Sequence, residues 1–133
     1  MSQCLNILVV DDNRDCADCL ALVLRTHGHN ADIAYNGLAA LEAARAGRPE
    51  VVLLDLAMPG LAGDELARQL RREPGMASVL LVCLSGHGSD EDRRRTQEAG
   101  FDHHLIKPVE AEEILAVLPT AGNGAAPVGS CGK

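Results

Sequence analysis

The sequence predicts an α/β fold, a doubly wound parallel sheet of five strands with helices on both faces. Short apolar runs alternate five times with segments of helical period. The first, third and fourth runs are almost entirely Val, Leu and Ile, which is typical of parallel strands buried on both faces. The second and fifth runs, Ala31–Ala34 and His103–Ile106, carry polar residues and suit the edges of the sheet. Right-handed crossovers then allow the strand order 2-1-3-4-5.

The first half of the chain contains a predicted strand at Leu5–Val10 and a predicted helix at Arg14–Thr26. Apolar residues recur every three or four positions along this helix, and Gly28 ends it. Asn36 and Gly37 open the second helix, which follows the second strand. The spacing of its apolar residues predicts an inward face made of Leu38, Leu41 and Ala44.

Turn residues divide the second half in the same way. Pro74 and Gly75 end the third helix, and Ser89 with Asp92 forms a predicted capping box for the fourth. Residues 1–119 are expected to form one domain, and residues 120–133 a flexible Gly/Ala/Pro-rich tail. The remaining predicted elements are strands at Val51–Leu54 and Val79–Leu84 and helices at Asp64–Arg72 (Leu66 and Leu70 inward), Asp90–Ala99 and Glu110–Leu118.

Charge and hydropathy argue against several classes of function. The 133 residues carry a formal net charge of −7, whereas proteins that bind nucleic acid directly need a basic surface for its phosphates. No apolar stretch reaches the roughly 20 residues that a membrane span requires. The amino terminus also lacks the basic-then-apolar layout of a signal peptide. These observations predict a cytoplasmic protein that binds neither nucleic acid nor membranes directly.

Cys16 and Cys19 have the spacing of a redox pair. In thioredoxin-like sites such a pair opens a helix directly after a strand, whereas these two cysteines lie inside the predicted first helix. No second pair with the spacing of a zinc site follows. The better interpretation is that both are small residues that fill helix positions.

Polar residues follow the predicted strands at the point where each strand ends. Ligands of doubly wound sheets bind beyond the carboxyl ends of the strands, so these side chains are expected to converge. Packed carboxylates repel one another unless a cation lies among them, and Mg2+ leaves room for phosphate oxygens beside one or two carboxylates. The residues, in strand order, are Asp11 and Asp12, Asp55, Ser85, and Lys107.

Among these residues Asp55 is the best candidate for a nucleophile. It follows the most central strand and is expected to lie between the metal ligands and Lys107. A carboxylate can form an aspartyl-phosphate, and a metal ion with an ammonium group would neutralise charge on the transferring phosphoryl group. Any single strand-end Asp is more often a helix N-cap, so the prediction depends on the joint occurrence of these residues.

The same residues belong to four short motifs. In this order and spacing they resemble the receiver domain of two-component response regulators, over roughly residues 5–118. The resemblance implies a flavodoxin-like fold and a signalling phosphoacceptor that assists only its own phosphorylation and dephosphorylation, not an enzyme. The motifs are Val9–Asn13 with its Asp-Asp pair, Leu54–Gly60 with Gly63 beyond, Leu84–Gly86, and Ile106–Pro108.

The resemblance also implies a role for each acidic residue. Asp55 would accept a phosphoryl group from the phosphohistidine of a histidine kinase or a histidine phosphotransfer domain. Asp12, Asp55 and the backbone carbonyl of Ala57 would bind Mg2+, with Asp11 acting mainly through water. Ala57 and His87 occupy positions that tune the lifetime of the phosphorylated state in this family, which leaves that lifetime open.

A conformational switch is implied by the remaining motif residues. Lys107 would pair with the phosphate, aimed by a cis peptide before Pro108. Ser85 would move toward the phosphate and pull its loop along. The family usually has Tyr or Phe three residues before the lysine as a rotating switch residue, and this chain has His104. His104 is either that switch or a half-exposed histidine on an edge strand.

Several alternatives remain open. A haloacid-dehalogenase-type phosphatase would carry Asp-x-Asp and a cap domain, and a flavin-binding protein would need a phosphate loop without acids. The chain could also be a receiver module of a hybrid histidine kinase, or a passive interaction receiver that is not phosphorylated. No output domain is expected after Leu118, so an unknown downstream protein or a phosphorelay would receive the signal. The run Arg93–Arg95 is interpreted as a solvated helix face.

Overall fold

The computed structural model describes residues 4–56, 63–86, 90–107 and 109–118, which form five strands and five helices in alternation. Every predicted element is present, and no bound differs from its prediction by more than one residue. Ser89 and the predicted tail lie outside the described residues. The elements are β1 (Asn6–Val10), α1 (Arg14–Thr26), β2 (Asn30–Ala34), α2 (Gly37–Gly47), β3 (Val51–Asp55), α3 (Gly63–Arg72), β4 (Leu80–Ser85), α4 (Asp90–Ala99), β5 (His103–Ile106) and α5 (Ala111–Val117).

The strands form one parallel sheet in the order β2-β1-β3-β4-β5, which confirms the predicted topology. All five residues of β3 are buried, as expected for the central strand. Each residue of β5 is half-buried, and β2 has an exposed residue at its first and third positions. The polar residues of those two strands therefore lie at the edges of the sheet, where water solvates them.

Helices cover both faces of the sheet and enclose two hydrophobic clusters. On one face α2, α3 and α4 pack against the strands, and Leu66 and Leu70 of α3 are fully buried as predicted. On the other face α1 and α5 bury Leu24 and Ile114. None of these helices, within the described ranges, is long and apolar enough to cross a membrane.

The prediction that Leu38 faces inward is wrong, because its side chain is 66% exposed. The buried residues of α2 are Gly37, Ala40, Leu41 and Ala44, which span an arc of about 100° around the helix axis. Leu38 lies outside this arc, about 60° beyond Leu41. Apolar spacing gave the correct period of α2 but wrongly included Leu38 in its buried face.

Arg71, near the end of α3, connects three segments of the chain. Its guanidinium donates hydrogen bonds to the carbonyl oxygens of Ala77 (2.9 Å), Val79 (2.6 Å) and Gly100 (2.6 Å). It also donates to the carboxylate of Asp102 at 2.9 Å. The fixed fork of donors on arginine suits such multiple contacts. The carboxyl ends of α3 and α4 are therefore fixed to each other and to the entry of β4.

Candidate functional site

The strand register brings the acidic residues level with one another. Val10 of β1 pairs with Leu54 of β3, so the residues that follow, Asp11 and Asp55, reach the same height at the carboxyl edge of the sheet. On the other side of β3, Ser85 pairs with Ile106, and Lys107 comes one residue later. The ends of β1, β3, β4 and β5 thus deliver all the predicted side chains to one edge.

Three carboxylates lie together at this edge. One oxygen from each of Asp11, Asp12 and Asp55 falls within a group whose members are all within 4.8 Å of one another. Asp11 and Asp55 are buried, whereas Asp12 is exposed to solvent. The cluster therefore has a closed inner side and an open outer side through which an ion or a substrate can enter.

Lys107 provides the positive charge of the site. Its Nζ lies 3.3 Å from Oδ2 of Asp11 and 3.4 Å from Oδ2 of Asp55, and its side chain is 32% exposed. Its backbone N–H donates to the carbonyl oxygen of Ser85 at 2.8 Å, which continues the β4–β5 ladder beyond the strands. The ammonium group is therefore held between two of the three carboxylates by its own backbone as well as by charge.

Burial and charge shift two pKa values in the site. The pKa of Asp11 is raised, first because burial disfavours the carboxylate; a hydrogen bond from the backbone of Asn13 opposes this, and the negative charge of Asp55 adds to it. Burial acts to lower the pKa of Lys107, but the attraction of Asp55 and Asp11 outweighs it and the pKa is raised. Lys107 therefore remains protonated while Asp11 binds its proton more tightly than a free aspartate does.

Ser85 and His104 lie on the β4–β5 side of the site. Ser85 is buried at the end of β4. His104 is half-buried on β5, and its Nδ1 lies 3.3 Å from Oγ1 of Thr96 on α4. Thr96 in turn donates to the carbonyl oxygen of Arg93 at 2.9 Å. His104 therefore contacts α4 directly, and the side chains of Arg93–Arg95 are exposed, in agreement with the predicted solvated face.

Asn13 is a site residue that the sequence motifs did not single out. Its backbone N–H donates to Oδ1 of Asp11 at 3.0 Å, and its side-chain Oδ1 accepts from the N–H of Cys16 at 3.1 Å. Asn13 is thus the N-cap of α1 and also holds the buried carboxylate. The sequence feature that could have identified Asn13 is the strong preference of Asn for the position before a helix.

An aromatic contact beside the site also went unpredicted. The guanidinium carbon of Arg14 lies 4.1 Å above the centre of the Tyr35 ring, and the Tyr35 hydroxyl donates to Asp18 at 2.7 Å. These contacts join the start of α1 to the end of β2. The remaining predicted positions, Ala57, His87 and Pro108, lie outside the described residues.

Comparison with known proteins agrees with this arrangement. Residues 7–119 match the response regulator receiver domain family. The DNA-binding response regulator MtrA of Mycobacterium tuberculosis is 38% identical over 110 residues, which are 83% of this chain and 47% of MtrA. The chain spans about half the length of the curated relatives it matches.

The solved structures that are similar in fold include the following two. A response regulator from Burkholderia pseudomallei, with a phosphorylated aspartic acid, a calcium ion and citrate, matches with a TM-score of 0.80 and 31% identity over 90% of this chain and 69% of that one. The receiver domain of the sensor histidine kinase PA1611 from Pseudomonas aeruginosa, with a magnesium ion in its active-site cleft, matches with a TM-score of 0.78 and 25% identity over 86% and 93%. With this fold, this acidic edge and these relatives, the chain belongs to the response regulator receiver family, the phosphoacceptor domains of two-component signalling.

Proposed function

We propose that Asp55 is the residue of this receiver that accepts the phosphoryl group, in the cytoplasm and from the phosphohistidine of a histidine kinase or a histidine phosphotransfer domain. The observation that carries the proposal is that Asp55, at the end of the central strand, lies within 4.8 Å of the two other carboxylates and 3.4 Å from the ammonium group of Lys107. A carboxylate oxygen of Asp55 would form the new bond to phosphorus while the bond from phosphorus to the imidazole nitrogen breaks, leaving its electron pair on the nitrogen.

The donor set fits a hard divalent cation. Three carboxylates within 4.8 Å of one another, one of them exposed, offer oxygen ligands and an open side for water. We propose that Asp11, Asp12 and Asp55 hold Mg2+, with the backbone carbonyl of Ala57 as a further ligand and Asp11 acting mainly through water. When bound, the ion would stabilise negative charge on the phosphoryl oxygens. The magnesium ion in the receiver of PA1611 supports this choice of metal.

Lys107 and Ser85 would act on the phosphorylated state. The Lys107 ammonium lies within 3.4 Å of Asp55 and would exchange part of that ion pair for a contact with the phosphoryl oxygens. Ser85 would offer its hydroxyl to another phosphoryl oxygen, and the peptide before Pro108 would aim the lysine. Because the backbone N–H of Lys107 donates to the carbonyl of Ser85, movement of one residue would displace the other.

The signal would leave through protein contacts. MtrA is a DNA-binding protein of about twice the matched length, whereas this chain carries a net charge of −7 and would act on an unidentified downstream protein or in a phosphorelay. The chain would catalyse no reaction on a separate substrate. Regulation would be a shift in population between two conformations, biased by the phosphoryl group.

The direct test is incubation of the purified protein with Mg2+ and acetyl phosphate. We expect intact-mass measurement to show one added phosphoryl group, and no addition when EDTA removes the metal ion. Reduction with borohydride before proteolysis would mark the modified residue, and we expect the mark at Asp55. A mark at any other residue, or uptake that does not depend on Mg2+, would contradict the assignment. A beryllofluoride titration would distinguish rapid hydrolysis from a receiver that does not bind the group.

His104→Ala is expected to leave phosphorylation intact but to weaken the conformational response. The substitution removes the contact of the imidazole with Thr96, which connects β5 to α4. Hydrogen exchange with and without Mg2+ and beryllofluoride would measure the response, and we expect the population shift to fall by at least about fivefold. His103→Ala, at the half-buried neighbouring position on β5, is the matched control. A full conformational response in His104→Ala would show that His104 is not the switch residue and is only part of the edge strand.

A further inference from the structure

Two free thiols lie near the amino end of α1. Cys16 and Cys19 are both exposed and both free, and they are the third and sixth residues of the helix. Residues three apart lie on the same side of a helix, and ideal geometry places their Cα atoms about 5 Å apart. This separation is within the range of about 4.4–6.8 Å that disulfides span. A bond between the two sulfurs therefore requires only a local change in the first turns of α1.

The two thiols share a groove with the acidic site. A cavity of about 470 Å3 is lined by Cys16 and Cys19 together with Asp11 and Lys107, and the apolar Leu20 also contributes to its wall. The groove is open to solvent, since both cysteines are exposed. A small thiol-reactive molecule that enters this groove therefore reaches both sulfurs next to the charged side chains.

Two hydrogen bonds connect the backbone of Cys16 to the buried carboxylate of Asp11. The backbone N–H of Cys16 donates to the side chain of Asn13, and the backbone N–H of Asn13 donates to Asp11. The first turn of a helix has no intrahelical partners for its N–H groups, so this cap is what fixes it. A change in the backbone at Cys16 therefore acts on Asp11 through one intervening residue.

We propose that Cys16 and Cys19 form a thiol–disulfide switch that is oxidised by low-molecular-weight disulfides such as glutathione disulfide. One cysteine thiolate attacks a sulfur of the oxidant, whose S–S bond breaks and releases one glutathione. The second cysteine then attacks the mixed disulfide, forms the bond between Cys16 and Cys19, and releases the second glutathione. Two electrons and two protons pass from the protein dithiol to the oxidant. Disulfides that form reversibly in reducing compartments are usually catalytic or redox-sensing.

Closure of the disulfide would alter the acidic site. Drawing Cys16 toward Cys19 tightens the first turn and displaces the N–H that Asn13 caps, so Asp11 loses part of its fixed position. We expect the oxidised form to bind Mg2+ more weakly and to take up the phosphoryl group at least about fivefold more slowly. This consequence for phosphorylation rests on the proposed function, whereas formation of the disulfide does not.

The chain itself offers a clean measurement of the disulfide. Trypsin cleaves after Arg14 and Arg25, and the peptide Asp15–Arg25 contains Cys16 and Cys19 and no other cysteine. The full-length protein would be equilibrated in glutathione buffers of increasing oxidant, and remaining thiols trapped with iodoacetamide. We expect an unalkylated peptide that is two hydrogen atoms lighter than the dithiol peptide. Its fraction should rise as the ratio of glutathione disulfide to glutathione in the buffer rises. A peptide that carries two alkyl groups, or only glutathione, at every ratio would overturn the proposal.

Phosphorylation then tests the switch. Uptake from acetyl phosphate would be compared for reduced and oxidised protein, in the wild type and in a Cys16→Ser, Cys19→Ser double variant. We expect the double variant to match the reduced wild type under both conditions. The switch would be contradicted if reduced and oxidised wild type took up the phosphoryl group at equal rates. It would also be contradicted if oxidation slowed uptake equally in the double variant. If the reduced wild type takes up nothing, the proposed function fails, and the Mg2+ affinities of the two redox forms still decide the switch.

Discussion

An Asp55→Asn variant is expected to take up no phosphoryl group from acetyl phosphate, however much Mg2+ is present. The amide has nearly the same shape as the carboxylate, but it carries no negative charge and is a poor nucleophile. The substitution also removes one of the three carboxylates whose oxygens lie within 4.8 Å of one another. Lys107 keeps its contact with Asp11 at 3.3 Å, so the fold should tolerate the change. We therefore expect complete loss of uptake without loss of structure.

Intact-mass measurement after incubation checks this result, with circular dichroism to establish that the variant is folded. The matched control is Asp32→Asn, which removes an equal charge from an exposed position on the edge strand β2. We expect the control to take up the phosphoryl group at the wild-type rate. Uptake by Asp55→Asn at a comparable rate would move the acceptor to another residue, and loss in both variants would point to net charge as the cause.

An Asp11→Asn variant is expected to be more stable than the wild type without metal and far less responsive to Mg2+. Asp11 is fully buried, and its carboxylate lies beside those of Asp12 and Asp55. Asparagine keeps an oxygen that accepts from the Asn13 N–H while removing the buried charge. Lys107 keeps its second partner, Asp55, at 3.4 Å. We expect a gain of about 1 kcal/mol in the free energy of unfolding at pH 7.

The raised pKa of Asp11 fixes the sign of the pH dependence. Burial is the main cause that raises the pKa of Asp11 above 3.8 in the folded protein. At a pH between 3.8 and this folded pKa, the folded protein holds a proton that the unfolded chain releases. This residue therefore lowers the stability of the folded state as the pH rises through its folded pKa, and the loss persists at neutral pH. The advantage of Asp11→Asn should shrink as the pH falls toward 3.8.

Urea unfolding in EDTA between pH 4 and pH 8 measures this difference, and thermal unfolding with added Mg2+ measures the response to metal. We expect the wild type to gain stability with Mg2+ and the variant to gain little, because a ligand that binds only the folded state stabilises it according to its affinity. A variant that is less stable than the wild type at pH 7 would show that the ion pair with Lys107 outweighs the cost of burial.

The sequence was sufficient to predict the architecture because polar residues interrupt apolar runs at strand ends. Once the runs are parallel strands, residues such as Asp11, Asp55 and Lys107 must meet at one edge. Which of two adjacent acids is buried could not be predicted, because it depends on how the chain turns after β1; Asp11 faces inward and Asp12 outward. The period of α2 was predictable, whereas the limit of its buried arc at Leu38 was not.

Contacts between segments that are distant in sequence were also beyond prediction. Nothing in the sequence around Arg14 indicates that Tyr35 will lie beneath its guanidinium, since that contact requires β2 and α1 to be placed first. The role of Asn13 as N-cap was easier to predict, because the preference of asparagine for this position depends only on the local sequence. Its second contact, with the carboxylate of Asp11, follows from the turn between β1 and α1.

The guanidinium of Arg71 makes the carboxyl end of α4 a pivot. A helix fixed at one end can swing but cannot slide, so each residue is displaced in proportion to its distance from Gly100, whose carbonyl Arg71 binds. The 10 residues of α4 make a lever about 15 Å long, and a rotation of about 10° would move its far end by almost 3 Å. His104 contacts α4 at Thr96, about 6 Å from Gly100, so a given displacement at Thr96 rotates the helix further than the same displacement at its amino end.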